Sequence, residues 1–403
     1  MSHVLADPST ARPIRTAAEA EAYIAAVCFK HGPPRRFGVE LEWLLTDPSD
    51  PARQPDTTTL RAALKEHAPR TLNFDSPAAP LPAGGLVTVE PGGQVEISSA
   101  PHRSPAGLIA AMRRDEAALR ALLEPTGFAL AERASLHRPP VRILRTPRYD
   151  AMAAAFARIG PAGAQMMCAS AATQICLDLG QAEQAHRRWR LAHRLGPVLL
   201  AAFANSPAPA GSPALASQRM AAWWALDPER TRPPKSLEPA DYCTRALDTR
   251  VLARQGGQAW LLAEPVTLRQ LLAGPEPVTT ADIDLHLSMI FPPVRPQGYL
   301  ELRYLDAQPA GEWPALLALV TALFAGPLEP VAEIVEPVGD RWPVATEAGL
   351  ADPALRRAAA ELAELVPAAL NRIELAEPER ESMSGLLGRR LAEGISPALE
   401  VTR

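Results

Sequence analysis

The sequence predicts an α+β fold: a mainly antiparallel sheet with helices packed on one of its faces. Two observations carry that prediction. Strict apolar/polar alternation recurs in short segments at 37–45, 86–99, 173–179 and 299–305, and alternation of period two sends successive side chains to opposite faces of a strand. Between these segments run longer stretches of helical periodicity. Strands separated by long helical insertions and short hairpins favour helices covering the apolar side of a sheet and leave the other side polar.

In chain order, Thr16 with Glu19 three residues later forms a capping-box pattern that opens a helix over Ala17 to Phe29. In the segment Phe37 to Leu45, Phe37, Val39, Leu41, Trp43 and Leu45 share one strand face, and Glu40 and Glu42 share the other. Leu86 to Ser99 reads as two strands around the turn Pro91-Gly92-Gly93. Thr88 and Glu90 lie on one face of the first strand, and Gln94, Glu96 and Ser98 on one face of the second. Ser104-Pro105, a capping residue before proline at the first helical position, starts a helix reaching about Glu124. In Thr173 to Leu179, Gln174, Cys176 and Asp178 oppose the apolar positions; in Tyr299 to Leu305, Glu301 and Arg303 share a face. Further helical patterns cover roughly 182–204, 279–290, 314–325, 351–366 and 379–394, the first of them bent or broken at Gly196-Pro197. There is no internal repeat.

Composition bounds the function. A formal charge of -4 over 403 residues supplies no broad basic field, which argues against nucleic acid or an anionic membrane as main partner. Lys30, Lys65 and Lys235 are the only lysines, and none follows a glycine, so there is no phosphate loop of the Gly-Lys-Ser/Thr type. Nucleotide phosphates, if bound, must be held by arginine and metal. Cys28, Cys168, Cys176 and Cys243 lack the spacing of a redox pair or a zinc site, and read as structural thiols in a reducing compartment. Met1 to Arg15 has no apolar leader segment, and the apolar stretch Pro314 to Pro327 is too short to span a bilayer, so a cytoplasmic protein is expected. His137, His193 and His286 show no spacing suggestive of a catalytic triad.

The polar faces carry the chemistry. Glu40, Glu42, Glu90, Glu96 and Glu301 would gather on one side of the sheet, although glutamate is disfavoured in strands and little lysine is available to offset it. Like charges at such spacing raise one another's pKa and oppose folding unless a cation sits among them. An all-oxygen donor set suits magnesium and fits zinc poorly. With a strand-borne arginine alongside, the pattern points to phosphoryl transfer clamped by metal. A structural cation site and a plain acidic surface are the two blander readings that the residues also allow.

The motifs resemble those of plant-type glutamate-cysteine ligases. Phe37-Gly-Val-Glu-Leu-Glu-Trp43, Val89-Glu-Pro-Gly-Gly-Gln-Val-Glu-Ile97, Gln174 to Asp178, Phe203-Ala-Asn-Ser-Pro207 and Tyr299-Leu-Glu-Leu-Arg303 occur in that family's order. His286 to Pro309, with Phe291-Pro-Pro-Val-Arg-Pro296 and Asp306-Ala-Gln-Pro309, is most similar to the actinobacterial branch that makes γ-glutamylcysteine for ergothioneine. The resemblance runs from about residue 35 to 325 and implies a glutamine-synthetase-like curved antiparallel sheet; the chain reads as one catalytic domain over 1–403, with 330–403, where the match is weak, as a helical cover.

It also implies that Glu40, Glu42, Glu90, Glu96 and Glu301 bind Mg2+ and that ATP is a co-substrate. By the same resemblance Arg219 holds substrate beside Trp223, Met167 and Met166 line the glutamate pocket, and Arg303 faces phosphate or the acyl intermediate; Gln174, beside Asp178 on the polar face, is either solvated or a substrate contact. Two departures stand out: Arg245 interrupts a segment that normally runs from tyrosine straight to Ala-Leu-Asp, and Ser170 replaces a threonine. Asn205-Ser206-Pro207 is expected to be a structural stop. The implied reaction joins the γ-carboxylate of glutamate to the amine of cysteine through a γ-glutamyl phosphate. The rivals are a related ligase with another amine acceptor and a non-catalytic glutamate or nucleotide sensor.

Overall fold

Alternation at Phe37–Trp43 (β1) places a glutamate-bearing strand at the centre of a six-stranded sheet. The computed structural model describes residues 11–400 except 210, 213, 256–259 and 263; most of the stretch read for a leader thus lies outside the described residues. The other strands are Leu86–Val89 (β2), Val95–Ser98 (β3), Thr173–Leu177 (β4), Val294–Pro296 (β5) and Leu300–Leu302 (β6). Their spatial order is β2-β3-β1-β4-β6-β5, and every neighbouring pair is antiparallel.

The β2–β3 hairpin closes at the predicted turn. Gly93 takes φ +87°, where a side chain would be strained, and Gly92 lies so close to the Cys168 backbone that an added Cβ would stand 2.2 Å from its carbonyl oxygen. The β5–β6 hairpin is a difference from the sequence reading, which placed only one strand here. Gln297-Gly298 turns it, with Gly298 at φ +76°, and the prolines at 292, 293 and 296 disguise an edge strand that has little need of donors on its outer side.

One sheet face is apolar as expected: Val39, Leu41, Ile97, Ile175, Leu300 and Leu302 are all buried. The helices that bear on the argument are Ala17–Cys28 (α1), Pro105–Leu123 (α2), Pro147–Ala157 (α3), Ala162–Cys168 (α4), Ala182–Arg194 (α5), Gly196–Ala202 (α6), Gln218–Trp224 (α7), Trp313–Ala325 (α8), Pro353–Leu370 (α9) and Glu377–Leu387 (α10). The break between α5 and α6 falls at Gly196-Pro197 as predicted. Half of the capping box of α1 forms: Thr16 Oγ1 accepts from the Glu19 N–H at 3.1 Å, but the Glu19 carboxylate takes the Arg15 N–H instead of that of Thr16. Helix α8 is buried on almost every side, the mark of a central core helix. Among the described residues no single helix is long and apolar enough to cross a membrane.

The carboxy-terminal helices are tied to this core by one buried cation. Arg390 is 0 % exposed; its guanidinium donates to Glu312, just ahead of α8, and to Glu400, each at 2.7 Å, and to the Ile395 carbonyl at 2.6 Å. Arg390 is buried but Glu312 and Glu400 keep contact with water, so its loss leaves carboxylates that solvent partly screens and costs about 2 kcal/mol, less than for a fully buried pair. Arg390→Ala should therefore lower the thermal midpoint by several degrees. An unchanged melting curve would mean that this anchor contributes nothing.

Candidate active site

Register decides which side chains meet. Glu42 stands opposite Glu96 across β1–β3, Glu40 lies between Ser98 on one side and Gln174 on the other, and Thr88 faces Glu96 across β2–β3. On the far side Glu301 is opposite Cys176 in β4 and Arg295 in β5. These pairings put the predicted polar positions on one face. A cavity of about 400 Å³ opens over it, lined among others by Glu40, Glu42, Glu90, Glu96, Gln174 and Arg303. Helix α4 contributes Met167, and α7 contributes Arg219 and Trp223. A smaller cavity of about 170 Å³ continues past Glu40, bounded by Gly38, Ser99, Asp178 and Tyr299.

Glu301 is placed differently from the other four. It does not line the cavity; it is 1 % exposed and lies beneath two arginines. Arg295 grips it with both Nε and Nη2, at 2.6 and 3.0 Å, while Arg303 Nη1 and Gln297 Nε2 donate at 2.9 and 3.0 Å. Burial works to raise its pKa, but the two guanidiniums prevail and hold the carboxyl well below the usual range.

For Glu42 and Glu90 the balance goes the other way. Burial, then Glu96 and Glu90, push Glu42 up to about 8, with Arg219 and Arg303 opposing. Burial and Glu96 push Glu90 up to about 7 against Arg148, Arg303 and a hydrogen bond from Tyr149. Among the described residues no three His, Cys, Asp or Glu side chains stand close enough to share one ion in this conformation. The expected convergence is thus to a shared wall and not to a closed cage. Hydrogen bonds hold the carboxylates apart: Glu96 Oε1 accepts from Thr88 and Ser98 at 3.0 and 2.7 Å, and Glu42 accepts from the Ala172 N–H and Gln174 Nε2 at 2.9 and 2.6 Å. Hard oxygen donors with too much negative charge and too few cations fit a magnesium ion bound with part of its water shell.

The cationic side of the cavity is organised around an indole. The guanidiniums of Arg219 and Arg303 both lie over the Trp223 indole, their Cζ atoms 5.4 and 5.5 Å from the ring centroid. The Trp223 Nε1 and Arg303 Nε donors are buried and have no partner among the described residues, which suits an anionic ligand at this wall. Gln174 links the two halves, donating to Glu42 and accepting from Arg303 Nη1 at 2.5 Å.

Other positions differ from expectation. Asp178 does not share the main cavity with Gln174; beyond the end of β4 it accepts the N–H groups of Arg35 and Arg36 at 3.0 and 2.9 Å. Arg245 lies outside this cavity and holds the short helix Pro228–Thr231 and its C-cap by donating to the Glu229 and Arg232 carbonyls. Burial raises the thiols of Cys28, Cys168, Cys176 and Cys243, which keeps them protonated and unreactive. Arg148, Tyr149 and Trp260 also line the main cavity, as do Phe291 and Arg295, to which the family-like segment Phe291–Pro296 gives no site role from sequence. Thr146-Pro147 is the same start signal as Ser104-Pro105, and it would have placed Arg148 and Tyr149 in the first turn of α3.

The family model of glutamate-cysteine ligase family 2 matches residues 36–403. The chain is 36% identical over 411 residues to glutamate–cysteine ligase EgtA of Mycolicibacterium smegmatis, covering 97% of this chain and 93% of that one. It is 36% identical to the EgtA of Mycobacterium tuberculosis over 365 residues, covering 86% and 82%. The chloroplastic glutamate–cysteine ligase of Arabidopsis thaliana is 29% identical over 248 residues, 58% of this chain and 47% of that one. In fold the chain is similar to the crystal structure of Francisella tularensis glutamate–cysteine ligase in complex with AMP, with a TM-score of 0.55 at 12% identity over 93% and 85% of the two chains.

Proposed function

From the premise that the chain belongs to glutamate-cysteine ligase family 2, we propose how its cavity joins glutamate to cysteine. The reaction is the ATP-dependent formation of γ-glutamylcysteine. The observation that carries the assignment of roles is that four carboxylates and four arginines from distant strands and helices meet at one cavity. Glu40, Glu42, Glu90 and Glu96 would hold Mg2+, which when bound neutralises the ATP phosphates and the charge developing on the transferred phosphoryl group. Glu301 joins that set only if Arg295 and Arg303 turn from it toward phosphate.

Arg219, buried beside Trp223 and Met167, binds a carboxylate of glutamate and aims its γ-carboxylate along the sheet. Gln174, hydrogen-bonded to both Glu42 and Arg303, keeps the acidic and basic walls in register where substrate enters. The cavity past Glu40 supports placing the base end of ATP there, with the phosphates crossing Glu40 toward the glutamate. Attack of the γ-carboxylate on the γ-phosphorus gives an acyl phosphate and ADP; the cysteine amine then attacks the acyl carbon and phosphate leaves. Arg303 stabilises the charge on the phosphoryl oxygens, and the apolar rim of Phe291, Trp260 and Trp223 keeps water from the acyl phosphate. No covalent nucleophile is needed. By its likeness to the actinobacterial branch, the product feeds ergothioneine synthesis.

Mass detection with purified protein tests this. Glutamate, cysteine, ATP and magnesium should yield γ-glutamylcysteine and equimolar ADP, and a chelator should stop both. ADP release with other amines at an equal rate, or no glutamate-dependent release at all, would overturn the assignment.

A further inference from the structure

We propose that Asp306 is a positioning residue that sets the substrate-binding arginine of α7; this rests on the reading of Arg219 as a glutamate ligand. Asp306 follows β6 and is 1 % exposed. Its carboxylate faces Arg219 Nη1 at 3.7 Å, and it is also wired to the start of α7 through two hydroxyls. Ser217, the N-cap of α7, donates to Asp306 Oδ1 at 3.0 Å and accepts the Met220 N–H at 3.1 Å. Ser206 donates to Asp306 Oδ2 at 2.7 Å and accepts the Arg219 N–H at 3.1 Å. The Asn205 N–H completes the set at 2.8 Å.

One buried charge therefore fixes both the helix that carries Arg219 and Trp223 and the guanidinium itself. Helix starts present unpaired N–H groups, and a carboxylate relayed to them by hydroxyls suits their positive end. The guanidinium has further bonds, Nη2 to the Arg303 carbonyl at 2.7 Å and Nη1 to the Met220 sulfur at 3.3 Å, and Asp306 brings a carboxylate within ion-pair distance of it. Asp306 lines neither cavity and does not touch substrate space. The Asn205-Ser206 stop expected from sequence is thus the near side of this device. Without the charge at 306, the guanidinium loses this ion-pair partner and is free to turn within the cavity.

The test compares Asp306→Asn with Arg219→Lys in the full-length protein. Asp306→Asn should raise the KM for glutamate about tenfold or more, leave the KM for ATP within about twofold and change kcat little, since positioning within an angstrom governs productive binding. Ser206→Ala, which keeps the carboxylate but cuts its link to the Arg219 N–H, should give a smaller rise of the same kind and serves if Asp306→Asn fails to fold. If Arg219→Lys raises the glutamate KM and neither Asp306→Asn nor Ser206→Ala does, the inference is wrong. Loss of thermal stability and of kcat with unchanged KM values would reduce Asp306 to a structural residue. If Arg219→Lys itself leaves the glutamate KM untouched, it is the reading of Arg219 that falls.

Discussion

Glu42→Gln should lower γ-glutamylcysteine formation about a thousandfold while leaving a folded protein, because it removes a proposed metal ligand without changing the shape of the side chain. The metal-free fold pushes this carboxyl up to about 8, so near neutrality position 42 is already largely uncharged, and an amide resembles that state. The sign of the linkage follows. A carboxyl whose folded pKa is raised holds a proton that the unfolded chain releases. Its contribution to stability is complete below about pH 4.5 and is lost as pH climbs through about 8.

Magnesium binds the deprotonated form and should reverse that loss. The rise in thermal midpoint on adding magnesium should therefore grow from pH 6 to pH 8.5 in the native protein and be smaller and less steep in Glu42→Gln, where Glu90 still titrates in that range. Calorimetry should also show protons released on binding. A magnesium shift equal in both proteins at every pH would remove Glu42 from the metal site.

Much of the acidic wall was legible because alternation is a geometric consequence of the strand. Once Phe37–Trp43 and Val95–Ser98 are strands, Glu40, Glu42 and Glu96 must share a face, and antiparallel pairing sets Glu42 against Glu96. The opposing wall was harder to read, since α3, α4 and α7 sit in alanine- and proline-rich sequence whose periodicity is weak, and tertiary contact decides where they lie. Arg295 illustrates the limit. Its strand is only three residues long and ends in proline, so neither alternation nor β propensity marks it; yet it determines that Glu301, identical in type to the other four glutamates, is buried and paired. Charge pattern alone could count the carboxylates but could not assign their counter-ions.

Arg303 joins the two walls, and its replacement should be nearly as damaging as that of Glu42. One Nη1 donates to Gln174 Oε1 and to Glu301 Oε1, the ring of Trp223 lies 5.5 Å from the guanidinium, and the backbone carbonyl receives Arg219 Nη2. Lysine keeps the charge but has neither the planar fork nor the flat face for stacking. Arg303→Lys should bind glutamate with little change, because the carbonyl that holds Arg219 is untouched. It should slow the first chemical step about a hundredfold, and Arg303→Met about a thousandfold, which is the scale on which arginine stabilises a transferring phosphoryl group. Single-turnover measurement of ADP formation separates that step from product release. If Arg303→Lys forms ADP at the native rate in a single turnover, the charge on the phosphoryl oxygens is met by another group, and Arg295, already within reach of the same carboxylate and lining the same cavity, becomes the residue to replace.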